Sequence, residues 1–138
     1  VSYLIDTNVI SELRKGKRAN PGVVSWFASL ADEEVFLSVL TLGEIRRGIE
    51  SIRRRDAAAA TALESWLGRI SEAHRDRIVP VDRAMAEEWG RMNAPDPLPV
   101  VDGLLAATAK VAGLTLATRN TGDIARSGVS FFNPFGTP

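Results

Sequence analysis

Val1-Ser2-Tyr3-Leu4-Ile5-Asp6-Thr7-Asn8-Val9-Ile10-Ser11-Glu12-Leu13 is the stretch from which the fold can be read. Its first five residues form a short, mostly apolar run with β-branched and aromatic side chains and no charged face, as in a strand covered on both sides. Asp6 ends that run, and Asp6 or Thr7 can cap a short helix reaching Leu13. A buried strand that hands over directly to a helix is the opening unit of a parallel α/β sheet.

The alternation continues along the chain. Asn20 and Pro21 predict a helix start for a segment to about Leu30, with Trp26, Phe27 and Leu30 on its apolar stripe. Residues 35 to 39 read as a second strand, and Thr41 with Glu44 fits a capping box opening a helix that turns Leu42, Ile45 and Ile49 inward. A longer amphipathic helix is expected over 53–72, with Leu63, Trp66, Leu67 and Ile70 at helical spacing. A third strand follows at 78–81, and Asp82 caps a helix to about Met92. Three prolines within 93–99 exclude regular helix there. A helix over 100–111 closes near Gly113, a fourth buried strand spans 114–117, residues 119–128 are turn-rich, and a last strand lies around 129–132. The expected fold is α/β, a three-layer sandwich with a central, mostly parallel sheet of about five strands.

Bulk properties narrow the function. The chain has 138 residues and 45% hydrophobic content, enough for a single domain with one sizeable core. It has no cysteine, so disulfides, thiolate metal sites and cysteine nucleophiles are excluded. No run approaches the roughly eighteen apolar residues of a membrane span, and no secretory leader pattern opens the chain, so a cytoplasmic location is expected. Seventeen basic residues balance seventeen acidic ones, which leaves no global field for nucleic acid and makes any such contact local.

Four acids carry the chemistry. Asp6 follows the first strand, Glu44 lies just past the second, Asp102 sits in the first turn of the helix leading into the fourth, and Asp123 follows that strand. In open α/β sheets ligands bind beyond the carboxyl ends of the strands. A right-handed crossover into a parallel strand starts its helix at that same edge, so topology allows one acidic pocket. Each acid also has an ordinary structural role open to it. Asp6 can cap a helix, Glu44 can complete the capping box, Asp102 complements a helix dipole, and Asp123 suits a turn with Asn120, Thr121 and Gly122.

The surrounding motifs add to this. Leu4-Ile5-Asp6-Thr7-Asn8-Val9-Ile10, Ser38-Val39-Leu40-Thr41-Leu42-Gly43-Glu44-Ile45-Arg46-Arg47-Gly48, Asp102-Gly103-Leu104-Leu105-Ala106-Ala107-Thr108-Ala109 and Leu116-Ala117-Thr118-Arg119-Asn120-Thr121-Gly122-Asp123-Ile124 occur in that order. Together they resemble the PIN-domain ribonucleases, most closely the VapC-like toxins of bacterial toxin–antitoxin pairs. The resemblance implies that Asp6, Glu44, Asp102 and Asp123 are catalytic and hold Mg²⁺ or Mn²⁺. It implies support from Thr7, Asn8, Thr118 and Asn120. It also implies a cognate antitoxin, a homodimer and a higher toxin–antitoxin assembly. Gly43 and Gly103 stand where larger residues are common in such proteins, and neither removes an oxygen ligand.

The expected reaction is metal-dependent hydrolysis of an RNA phosphodiester to 5′-phosphate and 3′-hydroxyl ends. A metal-free route through the ribose 2′-hydroxyl usually needs two groups titrating near neutrality, and the chain has one histidine, His74, expected at the surface. Arg119, beside the fourth acid, is the expected phosphate contact. Arg46 and Arg47 share a basic cluster with Arg53, Arg54 and Arg55 that could meet RNA, an acidic partner or only solvent. Two alternatives are a catalytically silent member of the same fold that binds RNA or a partner, and a Mg²⁺-binding receiver-like signalling domain. The second needs paired acids after the first strand and a lysine after the last, which this chain lacks.

Overall fold

The computed structural model describes residues 1–136. Five parallel strands, β1 (Tyr3–Ile5), β2 (Val35–Ser38), β3 (Ile78–Val79), β4 (Thr115–Ala117) and β5 (Phe131–Phe132), form one sheet in the order β3-β2-β1-β4-β5. Helices α1 (Thr7–Leu13), α2 (Pro21–Ala28), α3 (Val39–Arg53), α4 (Ala57–Ala73), α5 (Arg83–Met92), α6 (Val100–Ala112) and α7 (Thr121–Ala125) make the crossovers. This strand order differs from the 2-1-3-4-5 order of receiver-like folds and removes that alternative.

The period-two alternation of each strand divides the core. Ile5, Val35, Leu37 and Ala117 pack with Val9 and Ile10 of α1, Val23 of α2, Ile45 and Ile49 of α3, and Ala60 and Leu67 of α4. Leu4 and Leu116 face the other way, against Leu105, Ala106 and Ala109 of α6 and Ile124 of α7. The three-layer expectation is met. Leu4, Ile5, Leu37, Leu105 and Leu116 are fully buried, and each contributes about 1.5–3 kcal/mol by leaving water.

Local chemistry sets the helix ends. Asn20 Oδ1 accepts from the Gly22 and Val23 amides, Asp82 caps α5 through the Met85 amide, and Gly113 closes α6 in the left-handed region at φ 71°. Several boundaries differ from expectation. The second strand stops at Ser38, because its hydroxyl accepts from the Leu40 amide and starts α3 there. Thr41 therefore lies inside the helix, fully buried, and the Thr41–Glu44 capping box does not form. The long helix starts at Ala57, where Asp56 accepts from the Ala59 amide, and the arginines at 53–55 end the preceding helix instead. The turn-rich segment contains the short helix α7, and the third and last strands are two residues each.

Candidate active site

The sheet order makes β1 the strand from which the chain first moves to one side, into β2, and later returns on the other, into β4. The crevice between the carboxyl ends of β1 and β4 is thus the switch point at which such sheets bind ligands. Asp6 and Thr118 are the first residues past those two strands, and both are buried. Thr118 Oγ1 donates to Asp6 Oδ2 at 2.7 Å, and the Asp6 amide donates to the Ala117 carbonyl at 2.9 Å. The other carboxylate oxygen, Oδ1, accepts from the Thr7 amide at 2.6 Å, so the side chain that caps α1 is also the one that lies in the crevice.

Three further groups extend the network. Thr7 Oγ1 donates to Glu44 Oε1 at 2.5 Å, which ties the start of α1 to α3 and gives Glu44 a role unrelated to capping. Asn8 Nδ2 lies 3.4 Å from Asp6 Oδ2 and 3.5 Å from Thr118 Oγ1, while Asn8 Oδ1 accepts from the Arg119 amide at 3.3 Å. The Asn120 amide donates to Thr118 Oγ1 at 3.0 Å; it is the Asn120 backbone that bonds Thr118.

The acids sense one another. Burial pushes the Asp6 carboxyl up to about 6; the Thr118 and Thr7 hydrogen bonds oppose this, and the charges of Asp102 and Glu44 add to it. Asp102, half-buried at the start of α6, is also raised, first by burial and then by Glu44 and Asp123. A line of repulsion therefore links all four acids. Asp123 is exposed in the first turn of α7, 3.4 Å from the Arg126 guanidinium.

Among the described residues no three acids or histidines close into a ready-made cation cage. The donor set still suits a hard divalent ion. It consists of oxygens alone, one carboxylate is held below water and above its ordinary pKa, and Mg²⁺ characteristically binds through one or two carboxylates while keeping waters and substrate phosphate.

The start of α6 is fixed by close packing. A Cβ on Gly103 would lie 3.0–3.1 Å from the Asn93 amide group and 3.1 Å from Trp89 Nε1. Asn93 itself is held, accepting from the Leu98 amide and donating to the Trp89 carbonyl, each at 2.8 Å. Glycine at 103 thus lets α5 approach the turn that carries Asp102. Gly43 has open space around it.

The basic residues divide into engaged and free. Arg119 is exposed, with its guanidinium carbon 3.8 Å from the centre of the Phe135 ring. Phe135 is a site neighbour that local sequence does not reveal, since only the fold brings it beside Arg119. Arg46 is bound by Glu64 and Glu50, at 2.5 and 3.4 Å, whereas Arg47 lies on the exposed face with Glu50, Ser51 and Arg54. The His74 ring is at the end of α4, with Nδ1 2.8 Å from the Ile70 carbonyl and remote in the chain from every site residue.

The fold is a parallel three-layer α/β sandwich with an acidic crevice at its switch point, and residues 3–127 match the PIN domain model. The chain belongs to the PIN-domain family. It is 34% identical to Toxin FitB of Neisseria gonorrhoeae, across 96% of this chain and 97% of that protein. The VapC ribonuclease Y4jK of Sinorhizobium fredii is 30% identical, across 96% of both. The solved structure of FitAB bound to the IR36 DNA fragment superposes with a TM-score of 0.88 at 32% identity, covering 99% of this chain and 97% of that one. Among the described residues no helix is long and apolar enough to cross a membrane.

Proposed function

We propose that the protein is a divalent-metal-dependent endoribonuclease, the toxin of a toxin–antitoxin pair, which hydrolyses RNA to 5′-phosphate and 3′-hydroxyl ends. The observation that carries this reading is the buried Asp6 carboxylate, raised to about 6 and repelled by two neighbouring acids, at the switch point of the sheet. Such an arrangement opposes folding of the metal-free chain and is relieved by a cation. The FitB toxin and VapC ribonuclease names of its relatives agree with it, and PIN-domain nucleases generally use divalent ions.

In this reading Asp6, Asp102 and Glu44 hold Mg²⁺ or Mn²⁺, with Asp123 at the outer rim. The bound ion supplies Lewis acidity, lowering the pKa of water and offsetting charge on the phosphate. Thr118 and Thr7 fix the rotamer of Asp6 through its two oxygens. Thr7 also aims Glu44, and Asn8 joins the turn after β4 to the turn after β1. Arg119, stacked on Phe135, offers its fork to the substrate phosphate. A cognate antitoxin would answer the acidic crevice with a basic side chain, and homodimers would assemble with it; the related FitAB has been solved bound to a DNA fragment.

The test is to incubate purified protein with cellular RNA and Mg²⁺ and to map the cut ends. The expected result is 5′-phosphate and 3′-hydroxyl ends, with cleavage abolished by EDTA and by Asp6→Asn. Cutting that persists in excess EDTA, or 2′,3′-cyclic phosphate products, would overturn the proposal.

A further inference from the structure

A second concentration of charge lies away from the acids. Leu13, Arg14, Lys15 and Arg18, at and after the end of α1, face Ala62, Trp66 and Arg69 of α4 across an open cleft of about 490 Å³. Four cations line it and no acid does, in a chain whose net charge is zero. Lys15 pairs with Glu12 at 2.9 Å, while Arg14, Arg18 and Arg69 enter no ion pair among the described residues. This contrasts with Arg46, Arg53, Arg75, Arg83 and Arg91, all of which have acidic partners. Trp66 is half-buried against the core, so its indole is fixed as a wall of the cleft.

The cleft lies at the other end of α1 from the acidic crevice. Helix α1 leaves Asp6 and ends at Leu13, seven residues or about 10 Å away. Between them lies Glu12, almost entirely buried, whose carboxylate accepts from Lys15 and the Asn20 amide and also feels the charge of Arg119. Lys15, at the cleft, and Arg119, beside the crevice, both act on Glu12, so the acid between the two regions is neutralised and covered.

We propose that this cleft binds the single-stranded RNA that continues from the scissile phosphate, the arginine forks holding backbone phosphates while a base stacks on Trp66. The proposal rests on the ribonuclease function above. Charge complementarity selects a polyanion, and the preference for arginine together with a fixed aromatic face is the combination that single-stranded nucleic acid uses.

The experiment combines Arg14→Ala, Arg18→Ala and Arg69→Ala in the intact chain and measures cleavage of a long single-stranded RNA against salt. The control removes three paired cations, by Arg75→Ala, Arg83→Ala and Arg91→Ala. For the cleft variant KM is expected to rise about tenfold with kcat held, and the slope of log KM against log salt to fall by about 2, near 0.7 for each lost phosphate contact. The control should match the wild type. An unchanged salt slope in the cleft variant, or an equal effect in the control, overturns the cleft assignment. So does loss of antitoxin binding with RNA kinetics intact, which gives the cleft to the protein partner. Absence of metal-dependent RNA cleavage by the wild type would instead remove the ribonuclease function.

Discussion

Helix α3 carries charge on two faces that have been treated in opposite ways. On its outer face Arg46 and Arg53 pair with Glu50 and with Glu64 of α4, so each charge is answered. On the face toward the crevice Glu44 meets a threonine hydroxyl and the repulsion of two other acids. The answered charges are exposed, where ion pairs add little to stability. The unanswered ones surround a buried carboxylate, where like charge opposes folding. Repulsion retained where desolvation makes it strongest marks the part of the molecule shaped by chemistry rather than by stability.

The comparison is most severely tested at Asp6. Asp6→Asn is expected to lower RNA cleavage about a thousandfold or more, the scale of several kcal/mol of lost transition-state stabilisation. The same variant should be the more stable protein at neutral pH in the absence of divalent ions. The folded carboxyl titrates at about 6 against 3.8 for the unconstrained group, so folding favours the protonated form. Its contribution is fully present below pH 3.8 and lost as pH rises through about 6, a difference of about 3 kcal/mol. Urea denaturation from pH 4 to 8 should show this decline in the wild type and a flatter curve in Asp6→Asn. Mn²⁺ should raise the wild-type midpoint and leave the variant unmoved; equal pH curves would mean that the acid is not opposed.

Thr118→Val removes the bond that most strongly lowers Asp6. Cleavage should fall about 10–100-fold, the usual effect of losing a group that orients a ligand, and the acidic limb of the pH–rate profile should move to higher pH. An unshifted limb would separate Thr118 from the titration. Gly103→Ala presses a methyl group on the held Asn93 amide and Trp89, and is expected to cost about 1–2 kcal/mol by denaturation and to weaken Mn²⁺ binding by calorimetry. Unweakened Mn²⁺ binding would show that α6 carries Asp102 without help from this contact. At the small end, Glu64→Gln breaks the outer network and should leave both the melting midpoint and RNA cleavage nearly as they were. A large loss there would erase the distinction between the two faces.

The two-sided burial of β1, the helix caps at Asn20 and Asp82 and the stop at Gly113 were legible because each is decided by residues next to one another. The same holds for the position of Asp6, which any strand-to-helix handover would place at the sheet edge. From its immediate neighbours Glu44 reads as a capping-box acid, and only the four motifs taken together assign it to the acidic set. Thr41 mimics a cap, but Ser38 reaches the free amide first, and the true partner, Thr7, lies 37 residues away. Arg46 illustrates the reverse case, where a cationic side chain that looks free along the chain is claimed by Glu64 across the α3–α4 contact. Pairings across the fold, including Phe135 beneath Arg119, depend on crossover geometry that no local pattern encodes.

The bond between Thr118 and Asp6 spans 112 residues, and β1 has one of its two neighbours, β4, only from residue 115 onward. During synthesis β1 therefore waits for more than a hundred further residues before its second edge is covered. A nascent chain that has passed Glu44 and Asp102 still lacks the hydroxyl that orients Asp6 and the strand that buries it. The acidic crevice is completed only when residues 115–118 have been added, so Asp6 leaves the ribosome long before the groups that bury and orient it.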